Sequence, residues 1–501
     1  MPAHTGASPL RRWEASLNVL TQGVAERSLS EYLGAIDWTV WNRRIQVALV
    51  GVIALTFVWA ALSGHGLAAI PAAVGIVVAW AVVRACFRGA ERGFLLTCML
   101  AGFALRAVAS LVLHPLLVTN QRRGDGRVDV YVGYLFEDDR AFDVVSWALA
   151  RLWSGQLSQT AKSQDYLINN YTVMMGWVYY LFGHDVVGPK LLNCLFGALT
   201  IVVTYALAKE LGGERAGRFA AILALGFPSL VLWSMLNLKD ALVVLLIALV
   251  MLGGLKFAHR PSLLWAIVTV VAFAGLENLR LYVFFGLGWL IPISFFVINR
   301  SPWRRRLKIG IPFALALLTV VYVTNETQAL GLRYLSAKRL EALASSREFG
   351  AQNADTGIEL EQVPRSEDGY TIQIRTAPKV LPYVLWGPFP WQAKGRREMA
   401  VIPETLAWYG LQVLVIVAVV GWRRERWREL SLPLAFAAGL TCVFSMIEGN
   451  VGTIYRHRAM LLIPVFAVAG LGFDWLLSWW ARRRDQTVTA GPAQIADARL
   501  A

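Results

Sequence analysis

The chain has 501 residues, of which 56% are hydrophobic and 16% are charged, and its formal net charge is +15. Soluble domains carry about 25% charged residues, so a soluble protein is excluded. The charge does not indicate nucleic-acid binding, because most Arg and Lys residues lie in short clusters between apolar runs, as in cytoplasmic loops of membrane proteins. The cysteines lie in or next to apolar runs without metal-ligand spacing, which argues against a disulfide framework or a metal site.

The first 44 residues are polar, and we expect a cytoplasmic tail without a cleavable signal. Twelve apolar runs follow, each near the length of about 20 residues that a transmembrane helix needs. They are residues 45–62, 66–86, 93–118, 187–209, 214–235, 241–257, 262–276, 281–299, 309–323, 403–421, 430–447 and 459–480. The sequence therefore predicts an all-α polytopic membrane protein with about 12 transmembrane helices.

Alternate loops between these runs are basic, for example Arg300 to Lys308 and Arg423 to Arg428. The positive-inside rule places these loops and both termini in the cytoplasm. Two long polar segments, 119–186 and 324–402, then lie outside. Outer loops of this length are usually functional.

The first outer loop contains two stretches, Phe142 to Trp153 and Tyr166 to Phe182, that are rich in aromatic residues. Such stretches are typical of helices lying in the membrane interface, although the second could also be a further span. The second outer loop predicts an amphipathic helix around 333–348. Its segment 381–391 is rich in Pro and aromatic residues and is expected to return the chain to the bilayer surface.

Three adjacent carboxylates, Glu137, Asp138 and Asp139, lie in the first outer loop. Paired carboxylates near a membrane surface can act as a general base, because like charges and partial desolvation raise one pKa. They can also bind a divalent metal or the hydroxyls of a sugar. The alternative is a solvated acidic turn that caps the helix starting near Phe142.

Two further charged sites lie at the outer ends of apolar runs: Lys239 with Asp240, and Glu277 with Arg280. Charges near the membrane are costly unless they are paired or functional. They indicate a water-filled cavity that faces outward. A mutual salt bridge, or an N-cap by Asp240, remains the alternative.

The last outer loop contains Tyr455, Arg456, His457 and Arg458. Two arginines on the outer side run against the positive-inside trend, and guanidinium groups at this depth suit a phosphate or diphosphate. Snorkelling toward ordinary anionic headgroups is the alternative. No motif for ATP or another cofactor is present in the sequence.

The stretch from Glu137 to Leu255 resembles the N-terminal half of the GT-C membrane glycosyltransferases, which include protein O-mannosyltransferases and the aminoarabinose transferases of lipid A. The order of loose motifs carries the resemblance. These motifs are Asp138-Asp139 followed by Phe142, Leu181-Phe-Gly183, Asn193 with Gly197 to Thr200, Tyr205 to Gly212, and Trp233-Ser with an acidic residue after it. Phe142 stands where the family commonly has Tyr.

The resemblance implies a GT-C-like helix bundle with interfacial helices in a periplasmic loop. It also implies an inverting transfer in which Asp138 or Asp139 deprotonates the acceptor. Cations would stabilise the leaving polyprenyl phosphate, and Asp240 would contact the acceptor or the base. The candidate cations are Lys239, Arg456 and Arg458.

Two spans precede the one that normally opens this fold, so residues 45–92 are expected to form an extra N-terminal transmembrane hairpin. The expected core is 93–323, including the outer loop 119–186. A periplasmic loop, 324–402, C-terminal transmembrane helices, 403–480, and a cytoplasmic tail, 481–501, follow.

The expected function is transfer of a sugar from a polyprenyl-phosphate donor to an envelope glycan, lipid or protein. The expected location is a bacterial inner membrane with the active site on the periplasmic side, and the expected partners include the bilayer but no nucleic acid. One alternative is an enzyme like the O-antigen polymerases or ligases, in which 324–402 and Arg456 to Arg458 would carry the function. A flippase or transporter of lipid-linked anions is the other.

Overall fold

The computed structural model describes residues 38–122, 128–158, 167–325, 336–352, 357–358, 369–392 and 395–489. Most of the predicted N-terminal tail, parts of both long outer loops, Tyr166 and the end of the C-terminal tail lie outside the described residues.

The described chain is almost entirely helical. Its helices are α1 (Trp38–Ala60), α2 (Gly66–Cys86), α3 (Gly89–Leu113), α4 (Glu137–Trp153), α5 (Asn170–Phe182), α6 (Val187–Gly212), α7 (Glu214–Gly226), α8 (Pro228–Ser234), α9 (Asp240–His259), α10 (Leu263–Gly275), α11 (Leu281–Ile298), α12 (Trp303–Asn325), α13 (Ala337–Gln352), α14 (Gly369–Trp386), α15 (Arg396–Ile447), α16 (Val451–His457) and α17 (Ala459–Thr489). The strands β1 (Val118–Arg122) and β2 (Val128–Val132) form an antiparallel hairpin. The helical class is therefore confirmed, with one small hairpin added.

Nine helical stretches among the described residues are long and apolar enough to cross a membrane, and α7 with α8 would make a tenth, bent by 55°. The polytopic class is confirmed. The predicted number of about twelve spans exceeds these ten for two reasons. The first two apolar runs form one helical stretch, Arg43–Cys86, and α10 has only 13 residues.

The stretch Arg43–Cys86 has 44 residues, about twice the length of one crossing. Gly64 in its middle has a φ of 90° and interrupts the helical conformation. On either side of this break, α1 packs against α3 and α2 packs against α6. His65, next to the break, pairs with Asp185 at 2.6 Å, so this end of the two helices contacts the segment between α5 and α6.

The bend between α7 and α8 falls at Phe227, before Pro228, which lacks the N–H needed to continue a helix. The carbonyls at the end of α7 therefore need other donors. Arg106 of α3 is fully buried and supplies them. Its Nη1 and Nη2 donate to the carbonyls of Leu225 and Ala224 at 3.1 and 3.0 Å.

Charged groups pair at one end of the bundle, which we call the inner end. Lys209 binds Glu91 at 2.6 Å, Lys256 binds Glu210 at 2.9 Å, and Arg300 binds Glu429 at 3.1 Å. Each of these pairs joins loops that the sequence predicts to be cytoplasmic. The opposite, outer end contains the two long loops.

The first outer loop contains the β hairpin, α4 and α5. The two helices pack against each other, and they occupy the two stretches predicted to be helical. With 13 residues, α5 is too short for a span of about 20 residues. The alternative of a further span over 166–182 is therefore not supported.

The second outer loop contributes α13 and α14, which also pack together and contact α15. Both ends of α15 lie at the outer end of the bundle, since Glu404 binds Tyr455 and the carbonyl of Met446 binds Arg347. Its middle lies at the inner end, where Arg426 donates to the carbonyl of Leu211. The segment therefore runs along the bundle twice, and both of its halves, Met399–Trp422 and Glu425–Ile447, are long and apolar enough to cross a membrane.

Candidate active site

The start of α4 places three carboxylates at the outer end of the bundle. Just before it, Gly133 has a φ of 94°, and a Cβ there would lie 2.6 Å from the His114 ring. Both the φ and the close contact require glycine. Glu137, Asp138 and Asp139 then occupy the first turn, where the helix dipole stabilises negative charge.

Asp139 is fully buried. Its Oδ1 accepts a hydrogen bond from the backbone N–H of Asn237 at 3.0 Å, and its Oδ2 accepts one from Leu135 at 3.3 Å. Burial raises the pKa of Asp139 to about 6, and the attraction of Lys190 opposes this rise. The carboxylate thus ties α4 to the segment between α8 and α9.

Asp138 differs from its neighbour because its side chain is 59% exposed. Arg456 of α16 approaches it from the last outer loop, with Nη1 2.6 Å from Oδ2. Asp138 is therefore an accessible carboxylate held next to a guanidinium group.

Arg456 also binds Asp240, the first residue of α9, through Nη2 at 2.6 Å and Nε at 3.0 Å. The other oxygen of Asp240 accepts from Arg280 at 2.9 Å. The side chain of Asp240 is only 3% exposed. We call Asp138, Arg456, Asp240 and Arg280 the ion-pair cluster. It joins four outer segments.

Lys239 lies beside this cluster, with Nζ 5.8 Å from the centre of the Phe142 ring. No carboxylate of the described chain lies within ion-pair distance of its amine. Burial, together with Arg280 and Arg456, lowers the pKa of Lys239 to about 8. Lys239, Arg280 and Arg456 thus lie around only two carboxylates, those of Asp138 and Asp240. The one positive charge in excess among these five groups suits an anion such as a phosphate.

The remaining candidates lie around the cluster. Glu137 is exposed on α4. The backbone carbonyl of Glu277 accepts a hydrogen bond from the side chain of Asn170 at 2.7 Å, which fastens α5 to the segment before α11.

The other candidate residues of the last outer loop bind partners outside the ion-pair cluster. Tyr455 donates to Glu404 at 2.6 Å. His457 is buried against Glu448 at 2.5 Å, and burial lowers its pKa. Arg458 is also buried.

The guanidinium of Arg458 donates to the carbonyl of Gly387 and lies 5.1 Å from the centre of the Trp408 ring. Arg456 and Arg458 therefore occupy different environments, although the sequence places them together as candidate phosphate ligands.

The sequence prediction gave no role to Asp143. This carboxylate accepts hydrogen bonds from Tyr134 at 2.8 Å and from Tyr179, and His184 lies 3.1 Å away. The bond to Asp143 raises the pKa of His184. The spacing of four residues from Asp139, one helical turn, is the sequence signal that could have identified it.

A second missed residue is Asn237. Its side chain accepts from Tyr171 at 2.7 Å and donates to the carbonyl of Asp139 at 3.2 Å. In the described part of the chain, no three His, Cys, Asp or Glu side chains lie close enough together to hold a metal ion.

Comparison with known protein families gives a match to part of the chain. Residues 171–325 match the family described as dolichyl-phosphate-mannose-protein mannosyltransferase. The matched region includes Lys239, Asp240, Glu277 and Arg280 but not Asp138 or Arg456. No curated protein matches the chain.

Two solved structures show a weak likeness. The crystal structure of ArnT from Cupriavidus metallidurans bound to undecaprenyl phosphate has 16% identity and a TM-score of 0.43, and the match covers 77% of this chain and 63% of that one. The apo state has 16% identity and a TM-score of 0.29, with 74% and 76% covered. The chain thus spans less than two thirds of the first of these proteins, and neither likeness is close enough to carry an assignment.

The matched family is one of the GT-C membrane glycosyltransferases that the sequence motifs resemble. Over residues 171–325, the resemblance of this chain to the GT-C superfamily is therefore confirmed.

Proposed function

We propose that the chain is an inverting glycosyltransferase that moves a sugar from a polyprenyl-phosphate donor to a hydroxyl or amine acceptor. The reaction takes place at the outer end of the bundle, on the periplasmic face of a bacterial inner membrane. The acceptor is an envelope glycan, a lipid or a protein.

One observation carries this proposal. Asp138 is exposed and lies 2.6 Å from Arg456 in the ion-pair cluster, beside which Lys239 adds one positive charge. A general base must reach the proton that it removes. Asp138 can reach an acceptor from solvent, whereas the two oxygens of Asp139 are used by backbone N–H groups. We therefore assign the base to Asp138 and a supporting role to Asp139.

The reaction balances with these groups. The acceptor O–H or N–H gives its proton to the carboxylate of Asp138. The acceptor atom then forms a bond to the anomeric carbon, while the bond between that carbon and the phosphate oxygen breaks. The polyprenyl phosphate leaves with the electron pair, and its charge changes from −1 to −2.

Cations placed where this charge develops lower the barrier. Lys239 and Arg456 are the candidates, since Lys239 has no carboxylate partner in the described chain and Arg456 binds Asp138 directly, whereas Arg458 binds the carbonyl of Gly387. Arg280 binds Asp240, and Asp240 in turn holds Arg456. A donor of this class also agrees with the phosphate-linked mannose named in the description of the matched family.

The test uses purified protein in nanodiscs with a panel of polyprenyl-phosphate sugars and crude envelope glycan. The measured quantity is the lipid phosphate released. We expect Asp138→Asn to lower turnover at least about a hundredfold, since a positioned base contributes on that order. Glu341→Gln removes an exposed carboxylate of α13 and should leave turnover unchanged.

Unchanged turnover in Asp138→Asn would contradict the assignment of the base. It would favour a polymerase or ligase that depends on the last outer loop. Absence of turnover with every donor, together with measurable lipid translocation, would favour the transporter instead.

A further inference from the structure

Arg347 of α13, in the second outer loop, is buried although it is an arginine on an extramembrane helix. It is 1% exposed. Its guanidinium donates to Gln373 at 2.9 Å and to Thr376, both on α14, and to the carbonyl of Met446 at 3.1 Å. Arg347 thus fastens both helices of this loop to the outer end of α15. No role in the proposed reaction accounts for these contacts.

The chain leaving α15 is held by the same loop. Ile358 donates to the carbonyl of Gly449 at 2.9 Å, and Gly357 pairs with Asn450 in a β-bridge. A Cβ on Gly449 would lie 2.1 Å from the carbonyl oxygen of Arg347. Residues 449 and 450 are therefore enclosed between α13 and the segment 357–358.

The helix α16, which contains Arg456, follows immediately on this enclosed segment. Asn450 caps α16 by accepting from the N–H of Gly452 at 2.8 Å. The short helix then presents Arg456 to Asp138 and Asp240. With only seven residues, α16 has little intrinsic stability, so its position depends on the residues that hold its two ends.

We propose that the second outer loop positions Arg456, and that Arg347 is the positioning residue through which it does so. This inference rests on the proposed function for its effect on catalysis. Arg347 does not belong to the ion-pair cluster, and its contacts lie within the loop and at the end of α15. The shortest connection along the chain from these contacts to Arg456 runs through residues 449–456.

A double-mutant cycle separates positioning from general stability. Arg347→Met is expected to lower kcat/KM by about tenfold in the wild-type background but less than about twofold when Arg456→Lys is already present. A purely structural role would give the same loss in both backgrounds. That result would overturn the inference. Lys338→Met, an exposed change on the same helix, is the matched control.

A second measurement does not depend on activity. Hydrogen exchange of the backbone amides of 451–457 is expected to become faster in Arg347→Met than in Lys338→Met. Gly449→Ala should have the same effect if Arg347→Met fails to fold, and Gly439→Ala is its control because nothing lies within 4 Å of a Cβ at that position.

Unchanged exchange in a folded variant would overturn the inference. Faster exchange in a protein that shows no transferase activity would support it and would count against the proposed function alone.

Discussion

Lys239 is a cation in an unusual setting. It has no carboxylate partner in the described chain, and it lies over an aromatic ring with two arginines nearby. Burial and these arginines disfavour its charged form, so its pKa is lowered to about 8. An amine is protonated below its pKa. Lys239 can therefore lose its charge within a pH range in which both arginines keep theirs.

We expect kcat/KM for the lipid donor to fall above about pH 8, because deprotonation removes one cation from the leaving phosphate. Lys239→Arg should remove this alkaline limb, since a guanidinium stays protonated in that range. A pH profile of the initial rate checks both. An unchanged alkaline limb in Lys239→Arg would assign it to another group.

Neighbouring carboxylates illustrate what sequence can predict at this scale. The pattern identified the acidic group and the helix that follows it. It left open which carboxylate is the base, because Asp138 and Asp139 differ only in their tertiary surroundings. The N–H that binds Asp139 belongs to Asn237, 98 residues further along the chain. Asn237 follows α8, so the position of its N–H depends on the bend between α7 and α8.

At the scale of the element, that bend depends on one buried arginine. Arg106 donates to three carbonyls and to the hydroxyl of Ser234. A methionine would fill similar space but would leave the carbonyls of Ala224 and Leu225 without this donor. An unsatisfied buried polar group costs about 1 to 3 kcal/mol.

Arg106→Met is therefore expected to lower the free energy of unfolding by roughly 2 to 4 kcal/mol. Equilibrium unfolding in mixed micelles measures this change. Arg88→Met, at an exposed arginine before α3, should change it by less than about 0.5 kcal/mol. Equal losses in the two variants would show that Arg106 is not needed at the bend.

Hydropathy predicted most of the helical segments because each span must bury its backbone polar groups within one apolar run. The bend and the joined first stretch were not predicted. Composition does not show whether neighbouring apolar runs are separated by a loop or by a single residue such as Gly64. Pro228 indicates the bend in the sequence. Arg106, which donates to the carbonyls left free there, lies 118 residues from its partner Ala224, so the sequence pattern does not show this contact.

At the scale of the whole molecule, the candidate site exists only through tertiary structure. Arg456 lies 318 residues from Asp138 and 216 from Asp240 in the chain. The sequence nevertheless predicted that these residues share one side of the membrane. The positive-inside rule allowed this, because it assigns each loop to a side independently of its contacts.

The sidedness of the chain decides whether the proposed donor can be used on the periplasmic face. In a background with Cys86→Ser and Cys442→Ser, which removes the exposed cysteines of the described chain, we expect Lys338→Cys to react with a membrane-impermeant maleimide in spheroplasts. Arg304→Cys should react only after permeabilisation, because it belongs to a basic loop at the inner end.

The reverse pattern would place the ion-pair cluster on the cytoplasmic side. Both changed positions are exposed in the structure, so a difference in labelling reports the membrane barrier rather than burial. Arg456 joins the first and last outer loops to the start of α9, and Arg347 joins the loop that carries residue 338 to the same end of α15. The side found for residue 338 therefore fixes the side of Asp138 as well.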